Sequence, residues 1–148
     1  QKLGKLQSAI RTMNNVLNKT SQELVEMSAA VQGIKTENSK ILEKIIVVED
    51  KIKILQRKIN GDRLANRLDV DLSPSISDRV NRAAYGVLSS TSAPTYTQRD
   101  AYSIAYDEFQ PLLEELKTIL EKDVKNILDT MNRSGAPYTL NRIPKLDD

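Results

Sequence analysis

Few residues in this chain could do reaction chemistry. There is no His and no Cys among the 148 residues. That removes the commonest general base, the thiolate nucleophile and the commonest transition-metal ligands together. Asp, Glu, Lys, Tyr and Ser remain. Paired carboxylates can act as acid and base when a cleft holds them on opposite walls. Glu114-Glu115 and Glu121/Asp123 alternate instead with inward-spaced leucines, as solvent-facing carboxylates on a helix do. Asp69-Val70-Asp71-Leu72-Ser73 opens like a calcium loop, but Pro74 takes the sixth position and Val80 the twelfth, where Gly and Glu are needed. No phosphate-binding glycine loop or nucleophile elbow occurs. Asn18-Lys19-Thr20 and Asn132-Arg133-Ser134 fit the glycosylation triplet, a pattern short enough to arise by chance. The expectation is a non-enzymatic chain with no catalytic residue, cofactor or metal.

Binding chemistry has one candidate location. Tyr85, Tyr96, Tyr102 and Tyr106, with Pro94 among them, hold most of the ring surface of a chain that is only 4% aromatic. Tyrosine suits a surface with one apolar edge and one wet edge. These residues either fill a junction between helices or form an interface, and both readings stay open.

The elements that must position them follow from hydrophobic periodicity. Alternating steps of three and four from Leu3 reach Leu6, Ile10, Met13, Leu17, Thr20, Leu24, Met27, Val31 and Ile34. The same steps continue through Asn38, Ile41, Ile45, Val48, Ile52, Leu55 and Ile59. This is a coiled-coil seam with only Thr20 and Asn38 polar. A single helix carrying it would be nearly 90 Å long at about 1.5 Å per residue. Gly33 can end a helix, and Thr36, Asn38 or Ser39 can cap another. An antiparallel hairpin turning near residues 34–38 is therefore favoured over one rod, although the unbroken register speaks for the rod. Leu42, Ile46, Val47 and Ile54 predict a wider buried face on the second segment, as a bundle requires.

Beyond residue 60 the pattern changes. Asn60-Gly61-Asp62 is turn chemistry, and residues 67–72 alternate as extended chain does. Ser73-Pro74 predicts the start of a short third helix, with Ile76, Val80, Ala83, Val87 and Leu88 inward and an end near Ser90. Residues 89–95 read as a loop. Thr97, with Asp100 three residues on, predicts the cap of a long fourth helix from about Gln98 to Met131. Its inward stripe is Tyr102, Ala105, Phe109, Leu112, Leu116, Leu120, Val124, Ile127 and Met131, with a kink expected one turn before Pro111. Gly135 is placed near the helix end. In the tail from Tyr138 to Asp148, Leu140, Ile143 and Leu146 are expected to lie back on the bundle. The fold class is all-α: a coiled-coil hairpin (1–60) plus two further helices (61–148), forming an elongated four-helix bundle in one structural domain.

Charge narrows the partner class. The 22 basic and 20 acidic residues leave a net charge of +2, without the basic excess of a nucleic-acid footprint. Lys51, Lys53, Arg57, Lys58, Arg63 and Arg67 share their helix with Glu43, Glu49 and Asp50, as a solvated face does. No apolar run reaches membrane-spanning length, and no signal peptide opens the chain. Gln1 starts inside a helical pattern, which suggests a piece of a longer protein. The expected role is an interaction or scaffolding module whose partner is protein (a neighbouring domain, another protein or a second copy), with a structural coiled-coil stalk or oligomerisation spacer as the alternative.

From Gly61 to Pro144 the order of local signals resembles the helical region that follows the propeller in secreted bacterial sortilin-like, BNR-repeat β-propeller proteins, often described as glycosyl hydrolases. The residues that carry the likeness are Gly61-Asp62, Pro74-Ser75-Ile76-Ser77-Asp78-Arg79-Val80, Ser90-Thr91-Ser92-Ala93-Pro94-Thr95, Glu108-Phe109-Gln110-Pro111-Leu112, Gly135-Ala136-Pro137-Tyr138 and Arg142-Ile143-Pro144. The first sixty residues match only as generic coiled coil. None of these motifs is catalytic. The resemblance implies an exported C-terminal module, with any glycosidase activity in a preceding propeller and that propeller as a possible partner.

Overall fold

The computed structural model describes residues 2–32, 38–61, 75–89 and 96–133; the side chains of Asn38 and of residues 85–89 and 96–98 are outside that description. The described residues are almost entirely helical and contain no strand. Helix α1 is Lys2–Gln32, α2 Asn38–Asn60, α3 Ile76–Ser89 and α4 Tyr96–Thr118. Helix α4 runs without interruption into a π-helical turn, Ile119–Val124, and then into α5, Lys125–Arg133. The chain is an all-α helical bundle.

The seam folds back on itself as a hairpin. Asn14 exchanges amide hydrogen bonds with Asn60, at 3.0 and 3.3 Å, and Gln56 Nε2 donates to Asn18 Oδ1 at 3.1 Å. Four residues forward on α1 match four residues back on α2, so the two helices are antiparallel. From Leu6 to Ile59 every seam position with a described side chain is buried, Thr20 included. Leu3 is partly buried against the same core. Removing these side chains from water is the main stabilising term. The row of amides along the rim fixes the register, as polar groups beside a coiled-coil seam do.

The continuous unit α4–π–α5 forms a third rod, parallel to α1 and antiparallel to α2. Lys44 reaches Asn126 and Thr130 near its end, while Lys51, one heptad later in α2, reaches back to Asp123 at 3.0 Å. Helix α3 meets the third rod lower down, where Arg79 Nε lies 3.2 Å from Glu108 Oε1. That buried nitrogen is ion-paired but not aligned for a hydrogen bond. Asn60 Oδ1 accepts from Ser77 Oγ at 3.2 Å and so joins the end of α2 to the start of α3. Helices α2 and α3 thus follow one another along one edge. Among the described residues α1, α2, α3 and the continuous α4–π–α5 unit make the bundle, and three rods lie side by side at each level.

Local signals explain the ends of the elements. Gly61 has φ 84 and its N–H donates to the Arg57 carbonyl at 2.7 Å, the left-handed stop expected at the end of α2. Helix α3 is capped by Ser75, not by Ser73. Asp78 N–H donates to Ser75 Oγ at 3.1 Å, and Ser75 N–H donates to Asp78 Oδ2 at 3.2 Å. This reciprocal capping box satisfies two otherwise orphaned donors. Thr97 lies inside α4, which begins at Tyr96, and so is not its cap; Asn38 and Ser39 likewise belong to α2. Helix α4 continues through Pro111, and the departure from α geometry comes about two turns later, at Ile119. Thr36, the turn from Gly33, the stretch 67–72, the loop 90–95, Gly135 and the tail 138–148 lie outside the described residues.

Two expectations about inward faces are corrected. Ile46, Val47 and Ile54 are 64%, 54% and 41% exposed, and only Leu42 of that group packs on the core. With just two neighbouring rods, α2 buries one narrow stripe. Leu120 is exposed, and Ile119 takes the inward place assigned to it.

Candidate functional site

The tyrosine candidates separate into two groups. Pro94 lies outside the described residues. Tyr85 and Tyr96 belong to the backbones of α3 and α4, on either side of the undescribed connection 90–95. Tyr102 and Tyr106, one turn apart on α4, stack with ring centroids 6.0 Å apart and planes at 30°. Tyr102 is half-buried against the core, while Tyr106 is 43% exposed. The structure brings these two together.

They line a groove of about 510 Å³ between α4 and the first turns of α1. Leu6, Phe109 and Leu113 supply its apolar lining, and Lys2, Lys5 and Asp107 its charged groups. The groove exists because α1 and α4 run parallel here, which brings Lys2 and Lys5 beside the tyrosines. Sequence reasoning missed both lysines. Their one-turn spacing was visible, but nothing local to residues 2–5 identifies residues 102–113 as the facing segment. An apolar trough with two ammonium groups and two phenols can hold an aromatic or aliphatic side chain and pair with an acidic one.

A second groove, of about 570 Å³, lies between α2 and α5. Lys44 and Lys51 cross it to reach Asn126 and Asp123. Lys51 is about half exposed, so its pair with Asp123 contributes little to stability.

The carboxylates are on surfaces. Glu114, Glu115 and Glu121 are exposed, and Asp123 is paired with Lys51. Among the described residues one carboxyl has a displaced titration: burial raises the pKa of Glu23, Lys19 opposes the rise and Glu26 adds to it. Among the described residues no cluster of three or more His, Cys, Asp or Glu could hold a metal ion. The Asp69–Ser73 stretch lies outside them. Among the same residues no helix is long and apolar enough to cross a membrane. No family model, curated protein or solved structure matches the chain.

Proposed function

We propose that this chain is a non-catalytic helical interaction module that binds a protein partner through the Tyr102–Tyr106 groove. The stacked tyrosine pair, half in and half out of the core, carries the reading. Exposed aromatic surface is what protein interfaces concentrate, and Lys2 and Lys5 supply the polar rim that surrounds it. The hairpin buries its own seam, so a partner is needed for the groove and not for the coiled coil. The resemblance from Gly61 to Pro144 extends the proposal to the class of protein: an exported bacterial β-propeller protein, with the propeller as the partner.

The test pairs this chain with a BNR-repeat β-propeller and measures binding by calorimetry. Tyr106→Ala with Lys5→Ala is expected to weaken binding at least tenfold, while far-ultraviolet circular dichroism stays unchanged. Equal binding by the parent and the double variant would remove the groove from the account. A gene that encodes no propeller would remove the proposed class of protein and leave the groove to be tested alone.

A further inference from the structure

The third rod changes register at its π turn. Along α4 and into the π turn the buried residues Ala105, Phe109, Leu112, Leu116 and Ile119 follow steps of four and three. The next buried residue is Val124, five positions on, and then Ile127 and Met131 resume the earlier steps. A turn closed by i→i+5 bonding carries the extra residue. Thr118 and Lys125 on either side keep α geometry, with φ −62, ψ −43 and φ −61, ψ −40, so the rod is unbroken. At the entry Thr118 Oγ1 donates to the Glu114 carbonyl at 3.1 Å, a side-chain bond of the kind that accompanies local departures from α geometry.

The reason for the turn is chemical. Continuing from Ile119 by ordinary steps would put Asp123, Asn126, Thr130 and Arg133 on the seam. Those groups cannot be buried without partners. Only two paths from Leu116 deliver Val124, Ile127 and Met131 inward. One takes three residues to Ile119 and five more through the π turn. The other takes four to Leu120 and four more in continuous α-helix, a coiled-coil stutter. Ile119 is 4% exposed and Leu120 37%. The two side chains differ little in the apolar area they can bury.

We propose that Ile119 and Leu120 are alternative occupants of one core position, and that Ile119–Val124 is a two-register element able to pass between π and stuttered α geometry. In the second register Leu120 enters the core and Ile119 turns out beside Ile54 and Lys51, whose groove it already borders. The exchange changes which apolar side chain the bundle presents to solvent while the residues after Val124 keep their places.

A double-mutant cycle read by thermal unfolding tests this, with Ile127→Ala as the reference for a buried isoleucine in regular α-helix. Ile119→Ala is expected to lower the midpoint by less than half as much as Ile127→Ala, because Leu120 replaces it. Leu120→Ala alone should shift it by no more than a degree or two, and the double variant should fall well below the sum of the singles. Deleting Glu121 removes the extra residue and leaves only the α register with Ile119 inward. That variant should fold with a midpoint at least equal to the parent's, and Ile119→Ala made in it should cost as much as Ile127→Ala. The proposal is overturned if Ile119→Ala in the parent unfolds the chain or matches Ile127→Ala, if the cycle is additive, or if the Glu121 deletion lowers the midpoint.

Discussion

Truncation of Leu17 to Ala removes three carbons from a side chain with 0% exposure at the middle of the α1 seam. The lost transfer energy and the cavity left behind together cost about 3 kcal/mol, within the range of roughly 2–5 kcal/mol for buried leucines. Unfolding entropy near 2.1 cal/mol/K per residue turns that into a fall in midpoint of about 10 °C for a chain of this length. Val25, eight residues further along the same helix, is 60% exposed. Val25→Ala should cost less than about 0.5 kcal/mol, a shift under about 2 °C. Thermal unfolding followed by circular dichroism at 222 nm compares the two directly. Equal shifts, or a silent Leu17→Ala, would refute the inference from spacing to burial.

Other consequences follow from single side chains. Thr20 is 3% exposed on an otherwise apolar seam; Thr20→Val should stabilise the fold by about 1 kcal/mol in urea unfolding. Gly61 holds φ 84 at the end of α2, so Gly61→Ala should cost about 1 kcal/mol, measured in the same way. Glu23 has a raised pKa, chiefly through burial, so the folded state holds its proton more tightly than the unfolded chain does. Its contribution is therefore least favourable at neutral pH and improves as pH falls through the raised value toward the ordinary glutamate range. Glu23→Gln should stabilise slightly at pH 7, by no more than about 0.5 kcal/mol, and flatten that dependence; a loss at pH 7 would contradict the sign.

Most of the scaffold was legible because a coiled-coil seam is written in local spacing. Leu6 through Ile59 could be assigned inward from steps of three and four alone, and the structure buries each of those whose side chain is described. Residues whose burial depends on the number of neighbours were harder. Ile46, Val47 and Ile54 look core-forming in composition, but a three-rod cross-section leaves them outside. The Ile119/Leu120 choice was misread because both residues fit an inward stripe, and spacing alone does not separate a stutter from a π turn. The cap at Ser75 was present as Ser75-Ile76-Ser77-Asp78 and was hidden by the more obvious Ser73-Pro74. Tyr102 and Tyr106 were legible only as members of a group of four tyrosines, and their stacking singles them out. Lys2 and Lys5 joined them only through tertiary placement.

The distance between residues 18 and 56 tests the central claim, that the seam is hidden within a single folded chain. With no native cysteine, Asn18→Cys and Gln56→Cys can be spin-labelled selectively and measured by double electron–electron resonance. Helices packed about 8–10 Å apart predict a separation below roughly 25 Å once label linkers are included, unchanged on dilution. A separation near 57 Å, expected at about 1.5 Å per residue for one continuous helix, or a short distance that vanishes on dilution, would contradict it.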